Sequence, residues 1–249
     1  MVKIYGMGWV GRAVRELFPD AMIHDPAQGL ICEEKADVAF VCVPTPLKDG
    51  KLDTSIVEEV VKTAQEDLLI IRSTVNPGDC DRWEAMGKNI VFQPEYLGET
   101  PSHPLLNESQ TRFMILGGKP ENRRKVIELY TKVYNANITI RQVTNLEAEI
   151  IKLSENRAIA FKVMQCQELY DACELAGVDY YTIRDAVYGD DPRFNLWWTF
   201  IYDNRGFNSS KCLVKDVPAW CAWAESLGYD PTITNELVRR SNAYCNNSR

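Results

Sequence analysis

The sequence predicts an α/β fold with a doubly wound parallel sheet, followed by an all-α domain with one long helix. Short apolar runs alternate with helical stretches along residues 1–142, as in a parallel sheet whose strands are joined by crossover helices. Several runs lack polar alternation, which is typical of strands buried on both faces. Residues 145–176 contain neither glycine nor proline, so we expect them to form one helix.

Seven apolar runs are the predicted strands of the first domain, residues 1–142. They span residues 2–5, 21–25, 36–43, 68–74, 90–94, 112–116 and 138–141. Residues 9–17 and 54–64 place apolar side chains at helical spacing, so they are predicted helices between strands. The alternation favours crossover connections over hairpins.

The second domain, residues 143–249, is predicted to be helical. Thr144 or Asn145 can cap the start of its long helix, and Gly177 ends it. Two further helical patterns lie near residues 217–227 and 232–242. The segment before them, residues 188–216, is irregular and polar, and such segments carry function more often than cores do.

Composition and charge exclude several functional classes. The chain of 249 residues has a formal net charge of −7, so it lacks the basic footprint of a nucleic-acid binder. No apolar run approaches the ~20 residues that a membrane helix needs, and the first residues already predict a strand, so we expect a cytoplasmic protein. The eight cysteines form no CxxC pair. We therefore expect free thiols and no metal site.

A glycine-rich turn follows the first predicted strand and opens the first predicted helix. Its residues are Gly6-Met7-Gly8-Trp9-Val10-Gly11, the GxGxxG spacing of dinucleotide-binding Rossmann folds. The glycines permit a tight turn, close approach of a pyrophosphate, and close helix packing. Asp25 ends the second strand, where a carboxylate accepts the ribose hydroxyls of NAD and repels the 2′-phosphate of NADP. The pattern predicts NAD; the alternative is a glycine turn with a surface aspartate.

Polar groups also follow three later strands at their carboxyl ends, the edge where open α/β sheets bind ligands. Candidates for cofactor binding are Pro44, Thr45, Ser73, Thr74 and Glu99, and candidates for substrate binding are Glu95, Tyr96 and Leu97. Turn chemistry alone explains any one of these segments, because Pro-Thr-Pro and Asn-Pro-Gly form turns without a ligand. Polar groups at three successive strand ends favour a binding edge.

Lys152 and Asn156 are one turn apart on the long helix, so both should lie on the same face. Together they are candidates for catalysis and for substrate binding. Glu149 neighbours Lys152, and a solvated Lys-Glu face is the alternative interpretation.

Cys212 is the candidate nucleophile among the eight cysteines. It lies just before a predicted helix, between Lys211 and Lys215, and positive charge with helix N–H groups favours a thiolate. Asp216 opposes this effect. We predict that Cys212 is the most reactive thiol; the alternative is a buried structural cysteine.

Taken in order, these motifs resemble the UDP-glucose/GDP-mannose dehydrogenase family. The matching segments are GMGWVG, VPTP, STVNPG, PEYLGE, TNLEAEIIKLSEN, DDPRF and GFNSSKCLVKD, and they extend over nearly the whole chain. The resemblance implies an enzyme that oxidises the primary alcohol of a sugar nucleotide to the carboxylate with two NAD. It also implies a homodimer formed through the long helix of the central domain.

The resemblance implies a role for each catalytic candidate. Cys212 is the nucleophile that holds the aldehyde as a thiohemiacetal and then as a thioester. Lys152 stabilises oxyanionic intermediates, and Asn156 is its hydrogen-bonding companion. Asp216, with Thr74, places water or assists proton transfer.

Four further residues acquire roles in the same way. Glu95 and Glu99 correspond to acidic residues at the sugar and the nicotinamide, and Glu95 is also a catalytic candidate. Arg193 corresponds to an arginine that reaches the substrate of a partner subunit. Phe207, in the loop before Cys212, is a candidate for substrate binding.

Three departures from the family pattern affect the expected substrate site more than the cofactor site. The resemblance ends with the central domain, so we expect no third, sugar-nucleotide-binding domain. The loop GFGGSC of the family is Gly206-Phe-Asn-Ser-Ser-Lys-Cys212 here, with one extra residue and two glycines lost. The DPRIG segment reads Asp191-Pro-Arg-Phe-Asn195 and also loses its glycine.

Three functions remain open from the sequence. The first is the sugar-nucleotide dehydrogenase with its Cys212 thiolate. The second is a two-domain hydroxyacid-type dehydrogenase, which uses a lysine and an asparagine one helical turn apart and needs no cysteine. The third is a non-catalytic subunit that binds NAD and dimerises. The sequence predicts tighter binding of NAD than of NADP, and a homodimer through residues 145–176, whose apolar side chains cover more than one helix face.

Overall fold

The computed structural model describes residues 1–98, 103, 105, 107–134 and 138–247. The chain divides into two compact units. Unit 1 comprises residues 1–48 and 52–152, and unit 2 comprises residues 49–51 and 153–249. The sheet ends at Val143, close to the boundary predicted near residue 142, whereas the division between the units falls within the long helix.

Unit 1 contains strands at all seven predicted apolar runs and helices at the two predicted stretches, together with two further short strands and two further helices. The strands are β1 (Val2–Tyr5), β2 (Met22–His24), β3 (Val38–Val41), β4 (Leu47–Lys48), β5 (Lys51–Leu52), β6 (Leu68–Ile71), β7 (Ile90–Phe92), β8 (Phe113–Gly118) and β9 (Thr139–Val143). The first four helices are α1 (Trp9–Leu17), α2 (Ser55–Thr63), α3 (Asp79–Ala85) and α4 (Pro120–Tyr130). The short β4 and β5 pair only with each other.

The other seven strands form one sheet in the order β2-β1-β3-β6-β7-β8-β9. The chain moves outward from β1 in opposite directions to β2 and to β3, so the strand order reverses beside β1. Such a switch point leaves a crevice at the carboxyl ends of the strands, where doubly wound sheets bind ligands. The predicted Rossmann-type sheet is confirmed.

One strand pair departs from the predicted parallel sheet. β8 runs antiparallel to β7, with Val91 opposite Gly118, while every other neighbouring pair of the seven-stranded sheet is parallel. A parallel neighbour needs a crossover connection, whereas an antiparallel neighbour does not. Apolar periodicity is the same for both directions and could not reveal this reversal.

The central strands bury both faces, which explains their unbroken apolar runs. On β3, Ala39 and Val41 pack into one apolar cluster and Phe40 packs into another on the opposite face. The first cluster includes side chains from α2 and α3, and the second includes side chains from α1 and α4. Each fully buried large aliphatic or aromatic side chain contributes roughly 1.5–3 kcal/mol to stability.

The long helix α5 (Asn145–Ala176) has the predicted bounds. Thr144 caps it through a reciprocal pair: Glu147 N donates to Thr144 Oγ1 at 3.2 Å, and Thr144 N donates to Glu147 Oε2 at 2.7 Å. Gly177 terminates it with a φ of +69°, a conformation that glycine adopts without steric cost.

Unit 2 is helical, as predicted. It contains the rest of α5, then α6 (Tyr180–Arg184), a π-helical turn (Asp185–Asp190), α7 (Leu213–Ser226) and α8 (Thr232–Asn247). α7 begins earlier than predicted, directly after Cys212. Its core joins Ala160 and Met164 of α5 to Leu213 and Val217 of α7.

No helix in the described part of the chain is long and apolar enough to cross a membrane. Nor do the described residues include a group of three or more His, Cys, Asp or Glu side chains that could hold a metal ion.

Candidate functional site

The glycine-rich turn of unit 1 has the tight turn, the open backbone and the close helix packing that its three glycines predict. Gly6 has a φ of +89°, and a Cβ atom there would lie 2.7 Å from the Cys42 carbonyl oxygen. A Cβ atom at Gly11 would lie 2.0 Å from the Gly6 carbonyl oxygen, so α1 packs directly against the turn. At Gly8, a Cβ atom would meet nothing within 4 Å. The backbone is therefore open on the side where a ligand can approach.

Asp25 is buried at the end of β2 and is bonded to the glycine turn. Its Oδ2 accepts from Met7 N at 2.7 Å and from Gln28 Nε2 at 2.7 Å. No hydrogen bond from another described residue reaches Oδ1. The carboxylate thus fixes the turn through Oδ2, and Oδ1 can accept a further hydrogen bond. Of the remaining turn residues, Trp9 is exposed and Val10 is half-buried.

The candidates at the ends of β3 and β6 differ in their exposure. Pro44 is exposed and Thr45 is buried. Ser73 is buried, and its hydroxyl donates to the Val43 carbonyl oxygen at 2.7 Å, which ties β6 to β3. The hydroxyl proton of Ser73 is thereby engaged, so toward a ligand it can only accept. Thr74 is half-buried at the same edge.

Lys152 lies against the segment that follows β7. Its Nζ donates to the backbone oxygen of Glu95 at 2.6 Å and lies 5.0 Å from the centre of the Tyr96 ring. Leu97 N donates to the Glu95 carboxylate. Burial raises the pKa of Glu95, and the positive charge of Lys152 opposes that rise. A carboxyl group with a raised pKa next to a cation can accept and return a proton.

Glu149 does not lie on a solvated face. It is fully buried, and its two oxygens accept from Gly78 N at 2.6 Å and from Cys80 N at 2.9 Å at the start of α3. Burial raises the pKa of Glu149 to about 7, although these backbone hydrogen bonds lower it. The carboxylate joins α5 to the loop after β6, one turn before Lys152.

In unit 2, Asn156 and Asp216 are brought together. Asn156 Nδ2 donates to Asp216 Oδ2 at 2.6 Å, and Lys215 Nζ lies 2.7 Å from Asp216 Oδ1. Asp216 has no exposed surface, so the amide and the ammonium satisfy a buried carboxylate. Cys212 is the N-cap residue of α7, and its carbonyl oxygen accepts from Asp216 N at 2.9 Å.

Seven cysteine side chains are described, and Cys32 and Cys212 are the two that are half-exposed. The other five are buried. Burial raises the pKa of Cys80 well above its ordinary value and that of Cys221 to about 11, which leaves them largely protonated at neutral pH.

The remaining predicted site residues are Arg193, Phe207 and Glu99. Arg193 is exposed and folds back onto Asp191, with its Nη2 2.5 Å from Asp191 Oδ2. Phe207 is buried in the core between α5 and α7, so its side chain supports packing there, and its contact with substrate stays a prediction. Glu99 lies outside the described residues.

Two sequence models of one family match the chain. The NAD binding domain of the UDP-glucose/GDP-mannose dehydrogenase family matches residues 31–136, and its central domain matches residues 146–244. The chain belongs to the UDP-glucose/GDP-mannose dehydrogenase family. The first match confirms NAD as the expected cofactor. It begins after the glycine turn and Asp25, so the assignment of those residues rests on their geometry.

The relatives share this family at low identity. A UDP-glucose 6-dehydrogenase of Pseudomonas aeruginosa is 27% identical over 224 residues, which cover 83% of this chain and 48% of that protein. The chain spans about half the length of the curated relatives it matches.

Solved structures show the same fold. A UDP-glucose dehydrogenase from Pyrobaculum islandicum superposes with a TM-score of 0.80 at 22% identity and covers 98% of this chain and 68% of that one. The 3-hydroxyisobutyrate dehydrogenase of Mycobacterium tuberculosis superposes with a TM-score of 0.73 at 15% identity and covers 98% of this chain and 92% of that one.

The sequence reasoning missed several residues that position the candidates. Glu149 received no role from the sequence beyond the alternative of a solvated Lys-Glu face, although it lies between the apolar residues Ala148 and Ile150. Arg72, which precedes Ser73, forms a buried two-point ion pair with Glu108 at 2.8 and 3.0 Å. No local sequence pattern predicts this ion pair, because Arg72 and Glu108 are 36 positions apart in the sequence.

Proposed function

We propose that this chain carries out NAD-dependent oxidation of a sugar-nucleotide alcohol to the carboxylate, through a thioester on Cys212. The observation that carries the proposal is the pairing of Asn156 with Asp216, one helical turn after Cys212, in a chain that contains both family domains. Relatives named as UDP-glucose and GDP-mannose 6-dehydrogenases support this substrate class.

The glycine turn fits a dinucleotide. Gly8 leaves open space for a pyrophosphate, α1 directs backbone N–H groups toward it, and Asp25 keeps one oxygen for a ribose hydroxyl. When bound, NAD supplies the hydride acceptor. Because a carboxylate at this position repels a 2′-phosphate, we expect weaker binding of NADP. Titration with both cofactors tests this, and equal affinities would contradict it.

The proposed oxidation proceeds in two stages that share one carbon atom. The alcohol loses a proton to a base and a hydride to the cofactor, which gives the aldehyde. The Cys212 thiolate adds to the aldehyde carbon, and the resulting thiohemiacetal alkoxide loses a second hydride, to a second NAD, and becomes a thioester. Water then cleaves the C–S bond, which yields the carboxylate, regenerates the thiolate and releases two protons.

The other candidates assist these stages by charge and by proton transfer. Lys152 retains N–H donors beyond the one given to Glu95, and an ammonium stabilises an alkoxide or an oxyanion. Glu95, with its raised pKa, is the proposed proton acceptor for the alcohol. Asp216 is held by Asn156 and Lys215 and orients the water that cleaves the thioester.

Replacement of the nucleophile tests the proposal most directly. Purified chain is incubated with NAD and a panel of UDP-sugars and GDP-mannose, and both NADH and the acid product are measured. We expect Cys212→Ser to abolish acid formation, whereas Cys32→Ser, the other half-exposed thiol, leaves it intact. Acid formation at the wild-type rate by Cys212→Ser would refute the thioester mechanism.

A hydroxyacid-type dehydrogenase is a second candidate, favoured by Lys152 and Asn156 one turn apart and by the fold shared with 3-hydroxyisobutyrate dehydrogenase. It predicts that short hydroxyacids reduce NAD, that Lys152→Ala abolishes the reaction and that Cys212→Ser does not. Binding of NAD without turnover of either substrate class would instead support a non-catalytic subunit.

We also propose a homodimer through α5. Ile150, Ile159 and Phe161 are only half-buried within the chain, and a partner helix would cover them. Light scattering at micromolar concentration should give twice the mass of the chain. A monomer mass would contradict the proposal.

A further inference from the structure

We propose that Gln167 and Ser241 are positioning residues for Cys212. They hold residues 205–208, the start of the segment that leads into this cysteine. The inference rests on the proposed function, because it assigns these two residues to the thiol that the thioester mechanism uses.

Gln167, on α5, forms hydrogen bonds with both backbone groups of Gly206. Gly206 N donates to Gln167 Oε1 at 2.6 Å, and Gln167 Nε2 donates to the Gly206 carbonyl oxygen at 3.0 Å. Both residues are buried, so water cannot replace these bonds. Gly206 has a φ of +79°, and a Cβ atom there would lie 2.8 Å from the Ser241 carbonyl oxygen. Position 206 therefore requires glycine for these hydrogen bonds to form.

Ser241, on α8, holds the next two residues. Its hydroxyl accepts from Phe207 N at 2.9 Å and donates to Asn208 Oδ1 at 3.2 Å. Asn208 Nδ2 also donates to Asn242 Oδ1 at 2.9 Å. Ser241 is fully buried. The loop of this chain has lost two glycines of the family pattern, and here an asparagine side chain anchors it to a helix.

A short series of hydrogen bonds connects this anchor to the first turn of α7. Ser210 N donates to the Phe207 carbonyl oxygen at 3.0 Å, and Leu213 N donates to Ser210 Oγ at 3.1 Å. Phe207 and Leu213 pack in the same apolar cluster. Cys212 lies between Ser210 and Leu213, so its place at the helix start depends on where Gly206 and Phe207 are fixed.

Gln167 and Ser241, together called the clamp, bond to residues 206–208. Their effect on Cys212 can be distinguished from an effect on the stability of unit 2, because other thiols report on that unit. Cys166, Cys173 and Cys221 are buried in the same unit. If the clamp positions Cys212, its loss changes that thiol alone. If it merely stabilises the unit, its loss exposes the buried thiols as well.

The experiment measures alkylation of each cysteine by iodoacetamide at pH 7, with peptide mapping, in Gln167→Ala and Ser241→Ala. We expect the rate at Cys212 to fall about threefold or more, because a displaced helix start stabilises the thiolate less. The rates at the three buried thiols should not change. Ser241→Thr keeps the hydroxyl and should restore the Cys212 rate. Gln165→Ala, at an exposed position of the same helix, is the matched control.

Turnover gives a second readout. In both clamp variants we expect kcat to fall about tenfold with KM within about twofold, as for loss of an interaction that orients the reacting group. If Ser241→Ala fails to fold, Asn208→Ala tests the same anchor from an exposed position, with a smaller fall at Cys212.

An unchanged or faster rate at Cys212, or faster labelling of the buried thiols alongside it, would overturn the proposal. Absence of acid formation in the wild-type chain would instead refute the proposed function. The labelling results would still decide whether the clamp positions the thiol.

Discussion

The turn at residues 6–11 and the segment at residues 205–212 both lead into the first turn of a helix, but they are held by different means. The first is fixed by the absence of side chains: Gly6 and Gly11 lie so close to backbone that a Cβ atom has no room. The second is fixed mainly by side chains on neighbouring helices, with a single close-packed glycine at Gly206.

The difference shows how each loop can tolerate change. A turn made of close backbone contacts accepts no added atom except at Gly8, where the ligand is expected. A segment held by Gln167 and Ser241 retains its anchors even though two glycines of the family pattern are missing. This contrast explains why the recognisable GxGxxG pattern survives in full while the family's GFGGSC pattern does not.

The largest expected effect comes from Gly11→Ala. Its Cβ would lie 2.0 Å from the Gly6 carbonyl oxygen, so we expect a loss of about 3 kcal/mol or more in the free energy of unfolding. Gly8→Ala is the matched control: stability should stay within about 0.5 kcal/mol, while NAD affinity falls about tenfold because the methyl group meets the pyrophosphate. Denaturant titration and calorimetry measure both, and a stable Gly11→Ala would break the comparison.

Gly206→Ala tests the one glycine that the second segment requires. The positive φ costs about 1–2 kcal/mol for a residue with a side chain, and the contact with Ser241 brings the expected loss to about 2–3 kcal/mol. Gly228 has a similar φ of +81° but open space around it. Gly228→Ala should therefore lower the free energy of unfolding by only the about 1–2 kcal/mol that the positive φ costs. Equal losses at the two positions would show that the Ser241 contact does not matter.

Glu149 provides a side-chain clamp in unit 1 that titrates, unlike Gln167 and Ser241. Its pKa is raised by burial to about 7 from an ordinary 4.5, so between these values the folded state binds more protons than the unfolded chain. Protonation thus removes the penalty of the buried charge. As the pH falls from 8 to 5.5, protonation of Glu149 therefore raises the free energy of unfolding by about 2 kcal/mol.

We therefore expect Glu149→Gln to flatten that part of the pH profile, as measured by denaturant titration at several pH values. Ser241→Ala should shift the whole profile without changing its slope. A Glu149→Gln profile parallel to that of the wild-type chain would assign the pH dependence to another group.

The smallest expected effect comes from Asn208→Gly, which restores a glycine of the family pattern. It removes two partly exposed hydrogen bonds, so we expect a loss of about 0.5–1 kcal/mol. Asn242→Ala removes one of the two bonds and should cost less, and the double variant should cost no more than Asn208→Gly alone. Additive losses would mean that Asn242 acts through another contact.

Much of the fold could be predicted because local signals and tertiary structure agree. The bounds of α5 follow from Thr144, Gly177 and the lack of glycine and proline between them. The doubly wound sheet follows from unbroken apolar runs such as residues 38–41. The direction of β8 could not be predicted, because periodicity carries no information about strand direction.

The candidate site was predictable where a motif fixes backbone geometry, as in the glycine turn. The contact between Asn156 and Asp216 was not predicted, because it joins residues 60 positions apart. Glu149 and Gln167 were not predictable in their roles, because each bonds to a residue more than thirty positions away. The burial of the Phe207 side chain was not predictable either, because a motif position says nothing about which way a side chain packs.

The continuity of α5 has a consequence for the timing of biosynthesis. Residues 145–152 belong to unit 1, where Asn145 Oδ1 accepts from Phe92 N and Glu149 holds the start of α3. Both residues follow the last strand, which ends at Val143, by six positions or fewer. At roughly 5–20 residues per second, the ribosome therefore supplies the contacts that secure the sheet about a second after the strand itself.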